Sequence, residues 1–405
     1  MKVGLITIGG ELLNGTRTDT NASWIGQSIE AVGANIDWHM TVNDNAESIL
    51  SSLDQVPKEI GYLLCTGGLG PTHDDITASV LYKYFDSKSV FDESYWQLLI
   101  ERFKSRGKDI PLSNKNQAMI PEEGKVIPNP IGTARGLHFK NKNYELFSMP
   151  GVPSEMKYMM TNYILPIIDN HSEKNHIKMI RTTGIMESSL YEIIHPYLNT
   201  DEKVKIAFLP RFTGVDLRIS SKDINYLNKF FSKILPLIDK YYYGNNNEEL
   251  EDIVGKILID QNKSISTAES CSGGLISDRF TNTPNCSNYF KGGIVAYSNK
   301  IKTDILGVNE DLLTKTGAVS EPVALEMARG ARKAFNVDIG LSCTGIAGPS
   351  GGSKSKPVGL VYIALSSVDY EKVYCFNFTK DRKTNKLMTS QTALNILRLY
   401  LIKND

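Results

Sequence analysis

Short apolar runs alternate along this chain with longer stretches whose apolar residues recur at helical spacing, the mark of strands alternating with helices. Val3 to Ile8 reads as a strand, Ala22 to Val32 as a helix behind an Asn21 cap, and Ile36 to Val42 as a strand. Ala46 to Gln55 follows as a helix behind Asp44, then Tyr62 to Thr66 as a further strand. That order predicts a doubly wound α/β domain. The rigid turn Pro150-Gly151-Val152-Pro153 closes it, and Ser154 caps a helix running towards Leu165. From about 167 to 245 the pattern changes to a small α+β unit. Its strands are Lys178 to Thr183, one ending near Leu209, and Val215 to Ser220, with helices Ser188 to Leu198 and Asn225 to Ile238. Asn245 to Glu248 reads as a polar linker. Alternation then resumes with the helix Glu249 to Gln261, the strand Ser264 to Ala268 and the helix Leu275 to Thr281. The helix Glu321 to Phe335, strands Val337 to Cys343, Val358 to Leu365 and Val373 to Phe378, and a closing helix Lys386 to Ile402 complete it. Three domains are expected: 1–166, 167–245 and 246–405.

Composition narrows the class. Lys plus Arg and Asp plus Glu both number 45, so no net field draws the 405-residue chain towards nucleic acid or membrane. No apolar run approaches the length of a membrane span, and Met1-Lys2 leads directly into a strand with no signal peptide, which points to the cytoplasm. The five cysteines are odd in number and lack Cys-x-x-Cys spacing, against both a disulfide framework and a zinc site.

Candidate chemistry lies in loops at strand ends. Ser270, in Glu269-Ser270-Cys271-Ser272-Gly273-Gly274, falls between a buried strand and a helix start, where backbone N–H groups converge on an anion. All six histidines lie at or before His195, so a nucleophile here needs another base. Tyr297 and Lys302 supply a phenol and an amine that becomes neutral if desolvated. A plain turn or phosphate loop is the alternative, and Cys271 is a rival nucleophile. Thr344-Gly345 opens a second glycine-dense loop suited to phosphate or ribose, and Arg382 is a candidate phosphate ligand. In the first domain, Gly9 to Gly15 and Thr66 to Asp75 follow strands and set glycine beside acid. Asp74, Asp75 and Glu11 are candidate ligands for a divalent cation, with helix capping as the alternative for one aspartate. The middle unit carries no Gly-x-x-Gly clamp, which disfavours RNA.

Together these residues resemble the competence/damage-inducible CinA family over essentially the whole chain. Gly9 to Asn21, Thr66 to Asp75 and Met149 to Met156 are similar to its molybdopterin-binding-like hydrolase module. Thr267 to Gly274, Tyr297 to Lys302, Gly317 to Pro322 and Thr344 to Gly359 are similar to its nicotinamide mononucleotide deamidase module. The resemblance implies a KH-like middle domain, a C-terminal α/β/α domain and a homodimer. It implies two activities on small nucleotides: hydrolysis of ADP-ribose to AMP and ribose 5-phosphate with a divalent metal such as Mg2+, and deamidation of nicotinamide mononucleotide without a cofactor. A monovalent cation is a further candidate at the first site.

Carried over to this sequence, the resemblance makes Ser270 the nucleophile, Tyr297 and Lys302 its activating pair, and Ser287 a nearby hydroxyl. Lys302 takes the Ser270 proton directly or through Tyr297, kept neutral by burial or by a cationic neighbour such as Lys300. N–H groups from Ser272, Gly273 and Gly274 stabilise the oxyanion, and Thr344, Gly345 and Arg382 grip the phosphate. At the first site it implies substrate contacts from Gly9, Glu11, Asn14, Asn21, Gly67, Gly68, Gly70, Pro71, Thr72, Pro150 and Gly151. Gly10 stands where the family usually has a polar residue. A pterin-handling enzyme and a non-enzymatic role in DNA uptake are the alternative readings; neutral charge argues against direct DNA binding.

Overall fold

The computed structural model describes residues 2–169, 175–198, 203–379 and 381–403, and its contacts divide the chain into two compact units, Met1–His176 and Ile177–Asp405. Among the described residues no helix is long and apolar enough to cross a membrane.

The first unit is built on strands β1 (Lys2–Ile8), β2 (Asn35–Val42) and β3 (Tyr62–Thr66), a small ribbon of β4 (Ser89–Phe91) and β5 (Met119–Pro121), and strands β6 (Lys125–Ile127), β7 (Gly136–Lys140) and β8 (Glu145–Met149). The main sheet runs β2-β1-β3-β8-β7-β6, parallel through β8 and antiparallel beyond it. Both faces are covered, as the expected doubly wound fold requires: in β3, Leu63 and Cys65 join one core while Leu64 joins the other.

Three expected caps fail, two of them replaced by a neighbouring side chain. The helix Thr20–Ala31 is capped by Asp19, whose carboxylate accepts from Ala22 N, and Asn21 lies buried inside the first turn. Asn45, not Asp44, caps Ala46–Asp54. The helix after Gly151 begins at Pro153, whose ring presets the first helical φ, so Ser154 lies within it and caps nothing.

The second unit holds two sheets. The KH-like part orders β9 (His176–Thr182), β10 (Lys205–Arg211), β11 (Gly214–Ser221) and β12 (Tyr242–Asn245) as β10-β11-β9-β12. β12 ends on Asn245, the first residue of the expected linker, and pairs antiparallel with β9. The C-terminal part orders β13 (Ile265–Glu269), β14 (Phe290–Val295), β15 (Ile339–Gly345), β16 (Leu360–Ser366) and β17 (Glu371–Asn377) as β14-β13-β15-β16-β17. The first three are mutually parallel and the last two antiparallel. Val323, Met327 and Ala331 of the helix Glu321–Phe335 pack in one core; Leu250–Asp260, Leu275–Asn282 and Arg382–Lys403 contribute to the core on the opposite side.

The closing helix buries polar residues as well as apolar ones. Arg398 donates to the carbonyls of Lys240 and Tyr242, and Gln391 to Thr183 Oγ1, so this helix is pinned to the KH-like part along its length. Arg181 of β9 adds a link, reaching Glu249 at 2.7 Å.

Candidate active site

β13 delivers Ser270 at the carboxyl end of a fully buried strand, and Ser270 N extends the ladder by donating to Cys343 O. The chain must then turn within a few residues into the helix Leu275–Asn282. Gly273 and Gly274 do this with φ of +62° and +93°, values at which a side chain is strained. Lys302, on the helix Asn299–Asp304, is 1% exposed. Its Nζ lies 3.3 Å from Ser270 Oγ and 2.6 Å from Ala296 O. Burial lowers the Lys302 pKa, against a smaller opposing pull from Cys271 and Cys343. Lys300 has no part in this: it is exposed and ion-paired with Asp304 at 2.7 Å. Desolvation, not a cationic neighbour, is what favours a neutral Lys302.

Cys271 fails as a rival nucleophile. It is buried, and hydrogen bonding to Cys343, followed by burial, holds its thiol well above the usual range.

The turn itself is tied down by Glu269, a residue the sequence reading passed over. Its carboxylate is wholly buried and accepts from Ser272 Oγ (2.6 Å), Ile276 N (3.0 Å), Ser277 N (2.8 Å) and Ser277 Oγ (2.6 Å). Two N–H groups at the helix start are thereby consumed. Gly273 N turns back to Ser270 O, and the Ser272 hydroxyl serves Glu269 and Cys343. The N–H groups of Ser272 and Gly274 have no partner among the described residues, the state an oxyanion site requires.

Tyr297 is not brought between Ser270 and Lys302. It is 61% exposed, and its hydroxyl accepts from Arg382 Nη2 at 2.9 Å, while Arg382 Nη1 donates to Gly348 O. Arg382 thus joins the Tyr297 and Gly348 loops. One helical turn on, Lys386 stands over the Ser270–Gly274 turn, so that a Cβ on Gly273 would come within 3.3 Å of its Nζ. Thr344 directs its hydroxyl to Ala318 O and braces the Gly317–Ser320 loop, which Lys356 also holds through Thr316 O and Val319 O. Gly345 lies where a Cβ would press 2.7 Å from Leu360 O, so its smallness serves sheet packing. Ser287 is not brought to this site: it is exposed and precedes β14, whose far end leads to Tyr297. The six residues of β14 span about 20 Å.

In the first unit, three loops converge at the carboxyl ends of β1, β3 and β8. Asn21 fastens two of them, donating to Gly151 O (2.9 Å) and Thr66 Oγ1 (3.2 Å), while Thr66 donates to Pro150 O. Gly67 has φ +116° and meets Gly151, whose Cβ would lie 3.6 Å from Gly67 Cα; Gly68 has φ +66° and packs on Thr77. Asn14 is exposed and closes a local turn with Thr16. The acids do not form a ready ligand set: among the described residues no three His, Cys, Asp or Glu side chains gather. Asp75 folds back on Thr72 N and packs against Gly70, beside Pro71, and Glu11 lies against Gly9. Asp74 is exposed, and hydrogen bonding from Thr72 favours its ionised form. Sequence reasoning missed Asp19 here; its Oδ2 and Asn21 Oδ1 are buried acceptors without a partner among the described residues.

Comparison with known proteins agrees with this architecture. Three family models match in series: "Probable molybdopterin binding domain" over residues 4–170, "Damage-inducible protein CinA KH domain" over 177–244, and "CinA C-terminal domain" over 247–401. A CinA-like protein of Cytophaga hutchinsonii is 37% identical, covering 98% of this chain and 97% of its own. One from Chloroherpeton thalassium is 39% identical, covering 99% of each. Among solved structures, the competence/damage inducible protein CihA from Agrobacterium tumefaciens is 36% identical with a TM-score of 0.36, covering 38% of this chain and 96% of that one. The chain belongs to the CinA family.

Proposed function

We propose that the C-terminal site hydrolyses the carboxamide of nicotinamide mononucleotide to nicotinate mononucleotide and ammonia. The observation that carries this reading is the buried Lys302 Nζ, 3.3 Å from Ser270 Oγ and depressed in pKa by desolvation. Neutral Lys302 accepts the Ser270 proton as Oγ bonds to the carboxamide carbon, and the N–H groups of Ser272 and Gly274 face the developing oxyanion. Lys302 then passes the proton to the departing nitrogen, the C–N bond breaks, and ammonia leaves an acyl-Ser270. Water, deprotonated by Lys302, releases the acid and restores Ser270. Arg382 and Lys386, a turn apart on one helix, offer positive charge for the phosphate. Ammonia release by wild type and Ser270→Ala is the test: activity in the wild type alone supports the reading, and equal activity in both sinks it.

For the first unit we propose metal-dependent cleavage of ADP-ribose, supported by the convergence of the Gly9, Gly67 and Gly151 loops. Mg2+ is commonly held by one or two carboxylates plus substrate phosphates, which suits a site with Asp74 and Asp75 and no closed cage. The bound ion would offset charge on the pyrophosphate; Asn21 keeps the Thr66 and Gly151 loops in place around it. The match to a molybdopterin-binding model favours a pterin as the second reading of this unit. Calorimetry with ADP-ribose and with molybdopterin separates the two.

A further inference from the structure

We propose that Glu269 is a positioning residue for Ser270, fixing the turn so that Oγ faces Lys302 and the Ser272 and Gly274 N–H groups stay open. This rests on the reading of Ser270 as a nucleophile. A buried carboxylate one residue before a nucleophile is costly unless well satisfied. Here four donors meet it, two on each oxygen, all from the turn and the helix that follow. Three consequences make this more than a fold contact. First, the carboxylate takes Ile276 N and Ser277 N, donors that would otherwise point from the helix start. The oxyanion donors are thereby restricted to the turn itself. Second, it orients Ser272 Oγ. With its hydrogen given to Glu269, that oxygen accepts at 2.9 Å from Cys343 Sγ, on the strand whose carbonyl receives Ser270 N. Third, Ser277 Oγ, donating to Glu269, accepts from Thr267 Oγ1 at 2.7 Å, which binds helix and strand on the far side of the turn. Ser270 is thus held from both flanks by one buried side chain whose two oxygens are both taken up by donors of the fold.

Glutamine cannot replace it. Whichever way the amide lies, its NH2 meets a backbone N–H, either Ile276 or Ser277, and that donor loses its acceptor. The turn must shift, and a displacement near 1 Å at a reacting atom costs roughly 100-fold in rate.

The test is Ser270 labelling by an alkyl fluorophosphonate, in which Oγ bonds to phosphorus, fluoride leaves and the serine proton passes to Lys302. Rates are followed against pH by intact mass, beside thermal melting. Glu269→Gln is expected to label at least ~10-fold more slowly, with the pH midpoint unmoved, because Lys302 keeps its surroundings. In ammonia release its kcat falls and its KM stays. Labelling at the wild-type rate overturns the proposal, as does a slowed rate accompanied by a shifted midpoint, which would place the effect on the charge of Lys302. Should Glu269→Gln not fold, Ser277→Ala, which keeps the acid and both amide donors, carries the test: slowing of about threefold supports the proposal and an unchanged rate overturns it. Wild type that labels at Ser270 yet leaves nicotinamide mononucleotide intact would remove the substrate reading and spare this one. Wild type that does not label would remove both.

Discussion

The two candidate sites are built on opposite plans. At the C-terminal site the reactive groups are assembled and buried in advance: Lys302 reaches Ser270 without any ligand, and Glu269 has spent the helix-start amides on itself. At the N-terminal site the backbone is prepared and the charges are not, since two of the three converging loops are cross-tied by Asn21 while Asp74 stands in solvent and Asp75 and Glu11 rest on glycines. A desolvated lysine must be made by the fold, and at Lys302 burial is what lowers the pKa. A metal–phosphate site can be left open, because the ligand brings half the coordination with it.

The contrast is most sharply tested at Lys302. Lys302→Met should lower ammonia release by roughly 10²–10⁴-fold, the usual worth of a general base. In the wild type, activity should climb with pH through a limb below the ordinary lysine range, because burial lowers the folded pKa and the base must be neutral. Stability follows the same sign. Between that folded pKa and the ordinary lysine value the unfolded chain holds more protons, so the Lys302 contribution favours folding increasingly as pH rises. Thermal melts of Lys302→Met should lose that slope; an unaltered slope would break the desolvation argument.

At the open site, excess chelator should abolish ADP-ribose cleavage, and Asp74→Asn should weaken it about tenfold with a raised metal requirement. Full turnover in chelator would erase the contrast. Arg382→Ala should raise KM for nicotinamide mononucleotide about tenfold and leave kcat nearly unchanged, since it lies at the mouth and not at the dyad. The smallest effect is structural: Asn21→Leu removes donors to Gly151 O and Thr66 Oγ1 and should destabilise the protein by about 1–3 kcal/mol, read by denaturant unfolding.

Much of this was legible in the sequence where period and punctuation coincide. The doubly wound order came from short apolar strands between amphipathic helices, and Ser270 from a hydroxyl between a buried strand and a glycine pair. Other features carry no such mark. β14 contains Gly292-Gly293 and alternates between partial burial and exposure at the sheet edge, so its pattern is weak. β12 is short and adjoins a polar run, and only its pairing with β9 makes it a strand. Glu269 looks like a surface charge until the four donors around it are seen in space. Ser287 is near Tyr297 along the chain and far from Ser270 in the fold, because a strand runs between them. Tyr297 was expected at the proton path and found at the mouth, a matter of side-chain direction that sequence does not encode.

The closing helix Arg382–Lys403 has a consequence for how the second unit would come apart. Its start borders the Ser270–Gly274 turn, and sixteen residues after Arg382 the side chain of Arg398 grips the backbone at Lys240 and Tyr242. The peptide joining the KH-like part to the C-terminal part at Asn246-Asn247 is therefore only one of several ties. A protease that cut there would leave two fragments travelling as a single particle, held by Arg398, Gln391 and the Arg181–Glu249 pair. Cutting the chain at that point should therefore leave the two parts together, as size-exclusion chromatography of the nicked protein would read.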